Sequence, residues 1–271
     1  MKKKLMVAIP AYNCARQIGR VLRQFDAEVA PLFEEVVVID NRSRDGTIEA
    51  AIAAAKDNCL LPISVLRNED NYNLGGSHKV AFARCLEKGY DGVVILHGDD
   101  QGRIADFADL QDDIARTDAR CILGARFHPR SSLNGYPLAR IAGNIVFNWI
   151  YALCAGARVH DMGSGLNYYS RQLIERGIHL RMPDDLTFNN CMLLATYAAR
   201  ETVLFKPISW REEDQTSNAR LVRQSLRLLN YLFLFVFDRE KFLTEDFRAA
   251  PRTQYPSTQI FGNLEISKAT P

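Results

Sequence analysis

Short apolar runs alternate with amphipathic stretches through the first half of the chain. Lys4–Ile9 is apolar after its lysine and is stopped by Pro10, which predicts a strand. Ile18, Val21, Leu22 and Phe25 then recur at i, i+3, i+4 and i+7, one face of a helix. Glu35–Asp40 (EVVVID) predicts a second buried strand, and Asn41–Gly46 a polar turn. Thr47 can cap a helix whose inner face carries Ile48, Ala51, Ile52 and Ala55. Ile63–Leu66 predicts a third strand, Asn68–Gly76 a polar loop and Ser77–Lys88 a helix. Val93–Leu96 is the fourth strand, Asp106–Arg116 a helix and Cys121–Ala125 the fifth strand.

Beyond Arg126 the alternation stops. Pro137–Ala155 predicts a helix, Val159–Ser170 a strand pair, Leu186–Ala199 a helix and Val203–Ile208 a strand. Asn218–Phe237 predicts a long helix, and the tail from Asp238 is mixed and ends in coil. Strands alternating with helices imply an α/β fold, a mostly parallel central sheet with helices on both faces.

Such sheets bind ligands beyond the carboxyl ends of their strands. Three polar segments fall there: Pro10–Asn13, Asp40–Arg44 and His97–Gln101. The last, within VVILHGDDQG, is the richest. Extended backbone puts His97, Asp99 and Gln101 on one side and Asp100 on the other. A carboxylate, an imidazole and an amide at a strand end can hold a divalent metal and a phosphate; they can also form an acidic turn. Gly75-Gly76 reads as a turn before a helix, whose first N–H groups could meet an anion.

Composition narrows the classes. The 271 residues are 47% hydrophobic and 24% charged with a net charge of +2, which marks no bulk nucleic-acid binder. Six scattered cysteines with no CxxC fit reduced thiols, and the five histidines show no HxxxH or HExxH spacing. The basic start has too short an apolar core for a signal peptide, and no run approaches the roughly 20 apolar residues of a spanning helix. A cytoplasmic protein is expected. GxGxxG after the first strand and GxxxxGK[ST] are both missing, which argues against a dinucleotide domain and a P-loop.

The segments IPAYN (Ile9–Asn13), IDNRSRDGT (Ile39–Thr47), NLGGSHKVAFARCLEKG (Asn73–Gly89), LHGDDQ (Leu96–Gln101) and LGARF (Leu123–Phe127) together resemble family 2 glycosyltransferases of the GT-A fold. The resemblance runs over Leu5–Trp210. HDMGSGLNYYSRQL (His160–Leu173) is similar to a segment of the dolichyl-phosphate mannosyltransferase-like subgroup. The resemblance implies a GT-A domain over 1–215, with a nucleotide-binding half 1–127 and an acceptor half 128–215, and a C-terminal amphipathic helix and tail over 216–271. It also implies inverting transfer from a nucleotide diphosphate sugar, with Mg²⁺ or Mn²⁺.

By that resemblance the donor is held by Pro10, Tyr12, Asn13, Asp40, Arg42, Lys79, Gly98 and Asp99. The metal falls to His97, Asp99 and Gln101. The family motif is DxD, and here His97 replaces its first aspartate. An imidazole can ligate Mn²⁺, whereas Mg²⁺ prefers oxygen, so Asp99 is the firmest ligand and Gln101 supports it through its amide oxygen.

Arg126 and Arg140 match phosphate-contacting positions of the subgroup, and guanidinium forks suit phosphate. Arg126 is assigned to catalysis and Arg140 to the acceptor. Asp161 shapes the acceptor pocket or forms a turn. Arg211, also assigned to the acceptor side, matches a loop that closes over the donor. Glu212, Glu213 and Asp214 read as a solvated charge run. A hydroxyl acceptor needs a base and a lipid phosphate does not; Asp184 and Asp185 are the candidate bases, or else helix caps. Leu221, Val222, Leu226, Leu228 and Leu229 with Arg220, Arg223 and Arg227 form a basic amphipathic helix suited to a membrane interface, to its own core or to a second subunit.

The expectation is a cytosol-facing enzyme that glycosylates a polyprenyl phosphate or lipid-linked glycan in cell-envelope synthesis. The alternatives are a polysaccharide hydroxyl transferase and a non-catalytic sugar-nucleotide-binding protein.

Overall fold

A computed structural model describes residues 2–212 and 221–263. The chain runs β1 (Leu5–Ala11), α1 (Ala15–Leu22), β2 (Glu35–Asp40), α2 (Thr47–Asp57), β3 (Ile63–Asn68), α3 (Asn73–Glu87), β4 (Gly92–Leu96), α4 (Leu110–Thr117) and β5 (Cys121–Ala125). There follow β6 (Ser132–Asn134), α5 (Leu138–Ala155), β7 (Leu166–Ser170), α6 (Arg171–Glu175), α7 (Phe188–Ala198), β8 (Val203–Pro207) and β9 (Ser209–Arg211). The C-terminal part is α8 (Leu221–Phe237), α9 (Arg239–Thr244) and β10 (Ser257–Gly262).

The main sheet has the order β10-β3-β2-β1-β4-β7-β5-β8. The first four β-strands and the β5–β8 pair are parallel, while β7 and β10 run antiparallel to their neighbours. β6 and β9 form a separate parallel pair. Strand side chains alternate between two cores. Val7, Ile9, Val38 and Val94 face α1, α2 and α4; Met6, Ala8, Val37 and Val93 face α3, α5, α7 and α8. This is the GT-A arrangement expected, with both sheet faces covered.

Four local expectations change. The strand pair around Val159–Ser170 is a single strand, β7, inserted between β4 and β5. Its tyrosines divide between the cores, Tyr168 on one side and Tyr169 on the other. The helix expected over Asp106–Arg116 is a 3₁₀ turn over Ile104–Phe107 and then α4. The tail, expected to be mixed and to end in coil, carries a strand near its end, β10, which pairs with β3 and extends the sheet. The start of the long helix expected at Asn218, with Arg220, lies outside the described residues.

The fourth change matters for the site. α3 begins at Asn73, so Gly75 and Gly76 lie in its first turn. Their N–H groups donate to the Asp184 carbonyl at 2.6 and 3.3 Å, so the chain itself takes the place of an anion. Only glycine fits at 75, because a Cβ there would lie 2.4 Å from the Pro183 carbonyl oxygen. Lys79, one turn later, is buried and donates to the Met182 carbonyl (2.7 Å), Asp184 Oδ1 (2.6 Å) and Tyr255 Oη (3.2 Å). Tyr255 donates to the same carboxylate oxygen at 2.8 Å. Burial pulls the Lys79 ammonium below its ordinary pKa, against the opposing pull of Asp184. The tail is thereby fastened beneath α3.

Removing one partner of a buried ion pair strands the other. Asp184→Ala is therefore expected to lower unfolding stability in urea by about 3–5 kcal/mol, and Tyr255→Phe by about 1 kcal/mol. Equal, small losses would show that the pair carries no such weight.

Candidate active site

The parallel strands β1, β2 and β4 end together, and their loops are tied to one another. Gly98 N–H donates to the Pro10 carbonyl at 3.0 Å. The Asn13 side chain accepts from Arg44 N–H (2.9 Å), and Asn13 N–H donates to Ser43 Oγ (3.0 Å). Asp40 is fully buried at the end of β2, its carboxylate accepting from the N–H groups of Arg42 (3.1 Å) and Ser43 (3.3 Å). Asp40 therefore shapes its loop and leaves Arg42 exposed. Tyr12, 51% exposed, presents its ring at the mouth of this edge.

After β4 the chain forms a turn and not the extended run that alternation assumes, yet Asp99 and Asp100 still have different partners. Asp100 takes a left-handed φ of 62° and buries its carboxylate on the α1 side of the sheet. Oδ2 accepts from Arg20 Nε at 2.6 Å; Oδ1 accepts from Gln24 Nε2 at 3.1 Å and from Arg211 Nη2 at 2.5 Å. Arg211 also donates through Nε to the Asp100 carbonyl at 2.8 Å and through its N–H to the Gln101 carbonyl at 3.1 Å. Arg211, assigned from the sequence to the acceptor, thus clamps the turn from β9. Asp99 is left on the other side, its Oδ1 accepting from Gln101 N–H at 3.3 Å.

His97 continues the β4 face that looks toward α3. Its ring stands edge-on to His78, 5.9 Å between centroids at 90°, and its Nε2 is sealed from solvent with no hydrogen-bond partner. A Cβ on Gly165 would come within 2.8 Å of this ring, so glycine is needed there. Burial lowers the pKa of His97 to about 4 and of His78 to about 3, and both are neutral at pH 7.

Arg126 and Asp161, both proposed from the sequence, meet in a bidentate pair. Nε reaches Oδ2 at 2.7 Å, Nη2 reaches Oδ1 at 2.9 Å, and the Arg126 N–H also donates to Oδ2 at 2.9 Å. The guanidinium lies 5.1 Å from the Trp210 ring centroid, 5.2 Å from Phe127 and 5.9 Å from Tyr136. Burial opposes its charge, and Asp161 more than offsets that, so its pKa is raised. Its charge reaches both His97 and Asp99. Arg140, in the first turn of α5, lies 4.7 Å from the other aromatic partner they share, Tyr136, and donates through Nη1 to Glu212 at 2.9 and 3.0 Å. Glu212 is therefore paired instead of belonging to a solvated run, and Glu213 and Asp214 lie outside the described residues.

Lys79, Asp184 and Asp185 form a different group, on the α3–α7 side. Lys79 and Asp184 hold each other. Asp185 Oδ1 accepts from Thr187 N–H (2.9 Å) and Oγ1 (2.6 Å) at the start of α7, and Oδ2 pairs with Arg227 of α8 at 2.5 Å. Both carboxylates are thus engaged within the fold. Tyr136, Asp100 as an anchor, Glu212, His78 and Trp210 are the members that sequence reasoning left out of the site. No local pattern in the sequence marks these partners.

Among the described residues no group of three His, Cys, Asp or Glu side chains could enclose a metal ion. The donor set at the turn is one carboxylate, Asp99, with the Gln101 amide. That set fits a divalent cation that draws its remaining oxygens from a ligand and from water. His97, the third residue assigned to the metal, has its Nε2 sealed from solvent beside His78.

Burial raises the Asp99 carboxyl pKa to about 6, with Asp100 adding to the rise, against backbone hydrogen bonds and Arg126. The folded state therefore holds the Asp99 proton more tightly than the unfolded chain, a contribution full only below the ordinary pKa of 3.8 and lost as pH rises through about 6. In metal-free buffer, Asp99→Asn is expected to raise Tm at pH 8 by about 2–4 °C and to leave Tm at pH 4 nearly unchanged. A lower Tm at pH 8 would contradict this.

A family model for Glycosyl transferase family 2 matches residues 6–178. The chain is 22% identical over 184 residues to a polyprenol monophosphomannose synthase of Mycolicibacterium smegmatis, covering 64% of this chain and 64% of that relative. It is 25% identical over 166 residues to an undecaprenyl-phosphate mannosyltransferase of Micrococcus luteus, covering 61% of this chain and 66% of that one. These matches thus span slightly under two thirds of the relatives' length. Among solved structures, glucosyl-3-phosphoglycerate synthase of Mycobacterium tuberculosis, in complex with Mn²⁺, uridine-diphosphate and phosphoglyceric acid, superimposes with a TM-score of 0.62 at 14% identity. That match covers 95% of this chain and 86% of the synthase.

Proposed function

The chain belongs to glycosyl transferase family 2, and from that premise we propose that it transfers a sugar, with inversion, from a nucleotide diphosphate donor to the phosphate of a polyprenyl lipid. That it is a glycosyltransferase using nucleotide sugars follows from the family; the acceptor is our reading. The observation that carries it is the pair of arginines, Arg126 and Arg140, that share the Tyr136 ring, one of them within electrostatic reach of Asp99. Two guanidinium groups on one aromatic platform suit a phosphate that approaches the donor. The relatives named for polyprenol and undecaprenyl-phosphate transfer support the same choice.

Each residue then has a role. Pro10, Tyr12, Asn13, Asp40 and Arg42 form the nucleoside end of the donor site, and Gly98 lets the β4 turn close against β1. Asp99 and Gln101 would hold Mg²⁺ or Mn²⁺ together with the donor diphosphate. When bound, the cation supplies charge neutralisation for the departing nucleotide diphosphate. Asp161 and the aromatic rings hold Arg126 in one orientation, so its positive charge is in place before reaction. Asp100, with Arg20, Gln24 and Arg211, keeps Asp99 on the ligand side. Lys79 supports this edge from below through Asp184. Arg140 gives up Glu212 when the acceptor phosphate arrives.

A phosphate acceptor is already ionised and asks for no strong base. This agrees with the engagement of Asp184 and Asp185 inside the fold. The enzyme then works at the cytoplasmic face of a membrane, where a lipid acceptor is presented, in assembly of the cell envelope.

Transfer to a short polyprenyl phosphate, measured with Mn²⁺ and a panel of nucleotide sugars, tests this reading. Asp99→Ala is expected to lower the rate by at least about 100-fold, and Asp185→Asn to leave it within about threefold. Loss of transfer in a folded Asp185→Asn would instead support a hydroxyl acceptor with a protein base. Nucleotide binding without turnover on any acceptor would support the non-catalytic alternative.

A further inference from the structure

Two helices leave their apolar faces uncovered on the same side of the molecule. Among the described residues fourteen large apolar side chains are exposed, and nine of them lie on α5 and α8. On α5 they form one helical stripe that includes Leu138, Trp149 (70% exposed) and Leu153 (87%). On α8 they include Leu226, Phe233 and Phe237 (72%). The inner faces of both helices pack on one core, and Tyr151 Oη of α5 donates to the Leu228 carbonyl of α8 at 3.4 Å. The helices therefore lie side by side with their outer faces turned the same way.

The stretches that carry this face are themselves free of acid. In sequence, stretches 138–160 and 215–237 hold five arginines and no aspartate or glutamate, in a chain with 32 acidic residues. At the average density of the chain, roughly five acidic residues would fall in that length. An apolar face with basic residues and no acid matches an anionic bilayer. Arg140 and Arg227 are answered by Glu212 and Asp185 inside the chain, and Arg158 at the end of this stretch is exposed; a two-fold interface sets each patch against itself and brings no acid of these stretches to that charge.

We propose that α5 and α8 form one platform that rests in an anionic lipid surface, with α5 as its second half, and that the platform delivers the acceptor to Arg140. Arg140 stands in the first turn of α5, so the lipid-facing stripe and the phosphate site lie on one helix of 18 residues. The proposal rests on the lipid-phosphate reading above. It adds a docking surface that the sequence had confined to the last long helix.

The protein carries its own probe, because its two tryptophans are Trp149, exposed, and Trp210, 4% exposed. The full chain is mixed with phosphatidylglycerol vesicles and with phosphatidylcholine vesicles. Tryptophan emission, co-sedimentation and light scattering are recorded, along with stabilisation by Mn²⁺ and nucleoside diphosphates. The expected result is a blue shift and co-sedimentation with the anionic vesicles; the shift is lost in Trp149→Phe, and sedimentation is reduced at least about tenfold in Leu153→Glu and in Phe233→Glu. Both glutamate variants replace exposed side chains, and unchanged melting curves would show that they fold. Wild-type sedimentation by Leu153→Glu would overturn the proposal, as would a soluble dimer that Leu153→Glu dissociates while no vesicles are bound. Ligand stabilisation reports separately on the donor site, so its loss in the wild-type protein would count against the glycosyltransfer reading and leave the platform standing.

Discussion

The buried carboxylate of Asp100 is the constraint on which the site depends. It is 3% exposed and is shared by Arg20 of α1, Gln24 in the turn after α1 and Arg211 of β9. Its left-handed backbone costs about 1–2 kcal/mol for a residue with a side chain, and these contacts offset that cost. With Asp100 fixed within the turn, the backbone of Asp99 and Gln101 on either side of it is fixed as well. Arg211 closes the arrangement by also holding the Asp100 and Gln101 carbonyls. The substitution of His97 for an acid is tolerable in this frame. The imidazole packs beside His78 and Gly165, neutral, and the charge presented to a ligand comes from Asp99.

A second constraint governs the cationic side. Arg126 is largely withdrawn from solvent, its side chain 12% exposed, and would be costly to leave unpaired. Asp161 grips it bidentately, and three aromatic rings surround it. Such a cation cannot follow a moving substrate, but it needs no reorganisation when charge develops nearby. Arg140 is held differently, 37% exposed and paired to Glu212 across two small strands. The two arginines that share Tyr136 thus divide into one fixed charge and one exchangeable charge. Fixed charge suits a leaving diphosphate, and exchangeable charge suits an incoming phosphate.

What was legible in the sequence was what repeats locally. The strands β1 to β5, the helices between them and the polar segments at the strand ends all follow from periods of two and 3.6 residues. That Asp99 and Asp100 differ in surroundings was anticipated from an extended chain, but the structure reaches it through a turn with Asp100 at positive φ. Partners far apart in the chain left no such trace. β7 enters between β4 and β5 because its buried tyrosines fill both cores, and that order is set by the whole sheet. Lys79, Asp184 and Tyr255 meet across more than a hundred residues, so Lys79 could be drawn from its motif but not its partner. Asp185 could be read as a cap or a base, and Thr187 and Arg227 occupy both of its oxygens. Arg211 was recognised as a loop residue, yet its attachment to Asp100 depends on how β9 folds back over Gly102.

The central claim is that Asp99, held in place by Asp100, carries the cation through which a nucleotide diphosphate binds. Calorimetric titration of a nucleoside diphosphate panel in the presence and absence of Mn²⁺, into the wild-type protein and Asp99→Ala, tests it most directly. The account predicts Mn²⁺-dependent binding of at least one diphosphate by the wild-type protein and a loss of at least about tenfold in affinity, 1.4 kcal/mol, in the variant. Equal Mn²⁺-dependent affinity in a folded Asp99→Ala protein would contradict it.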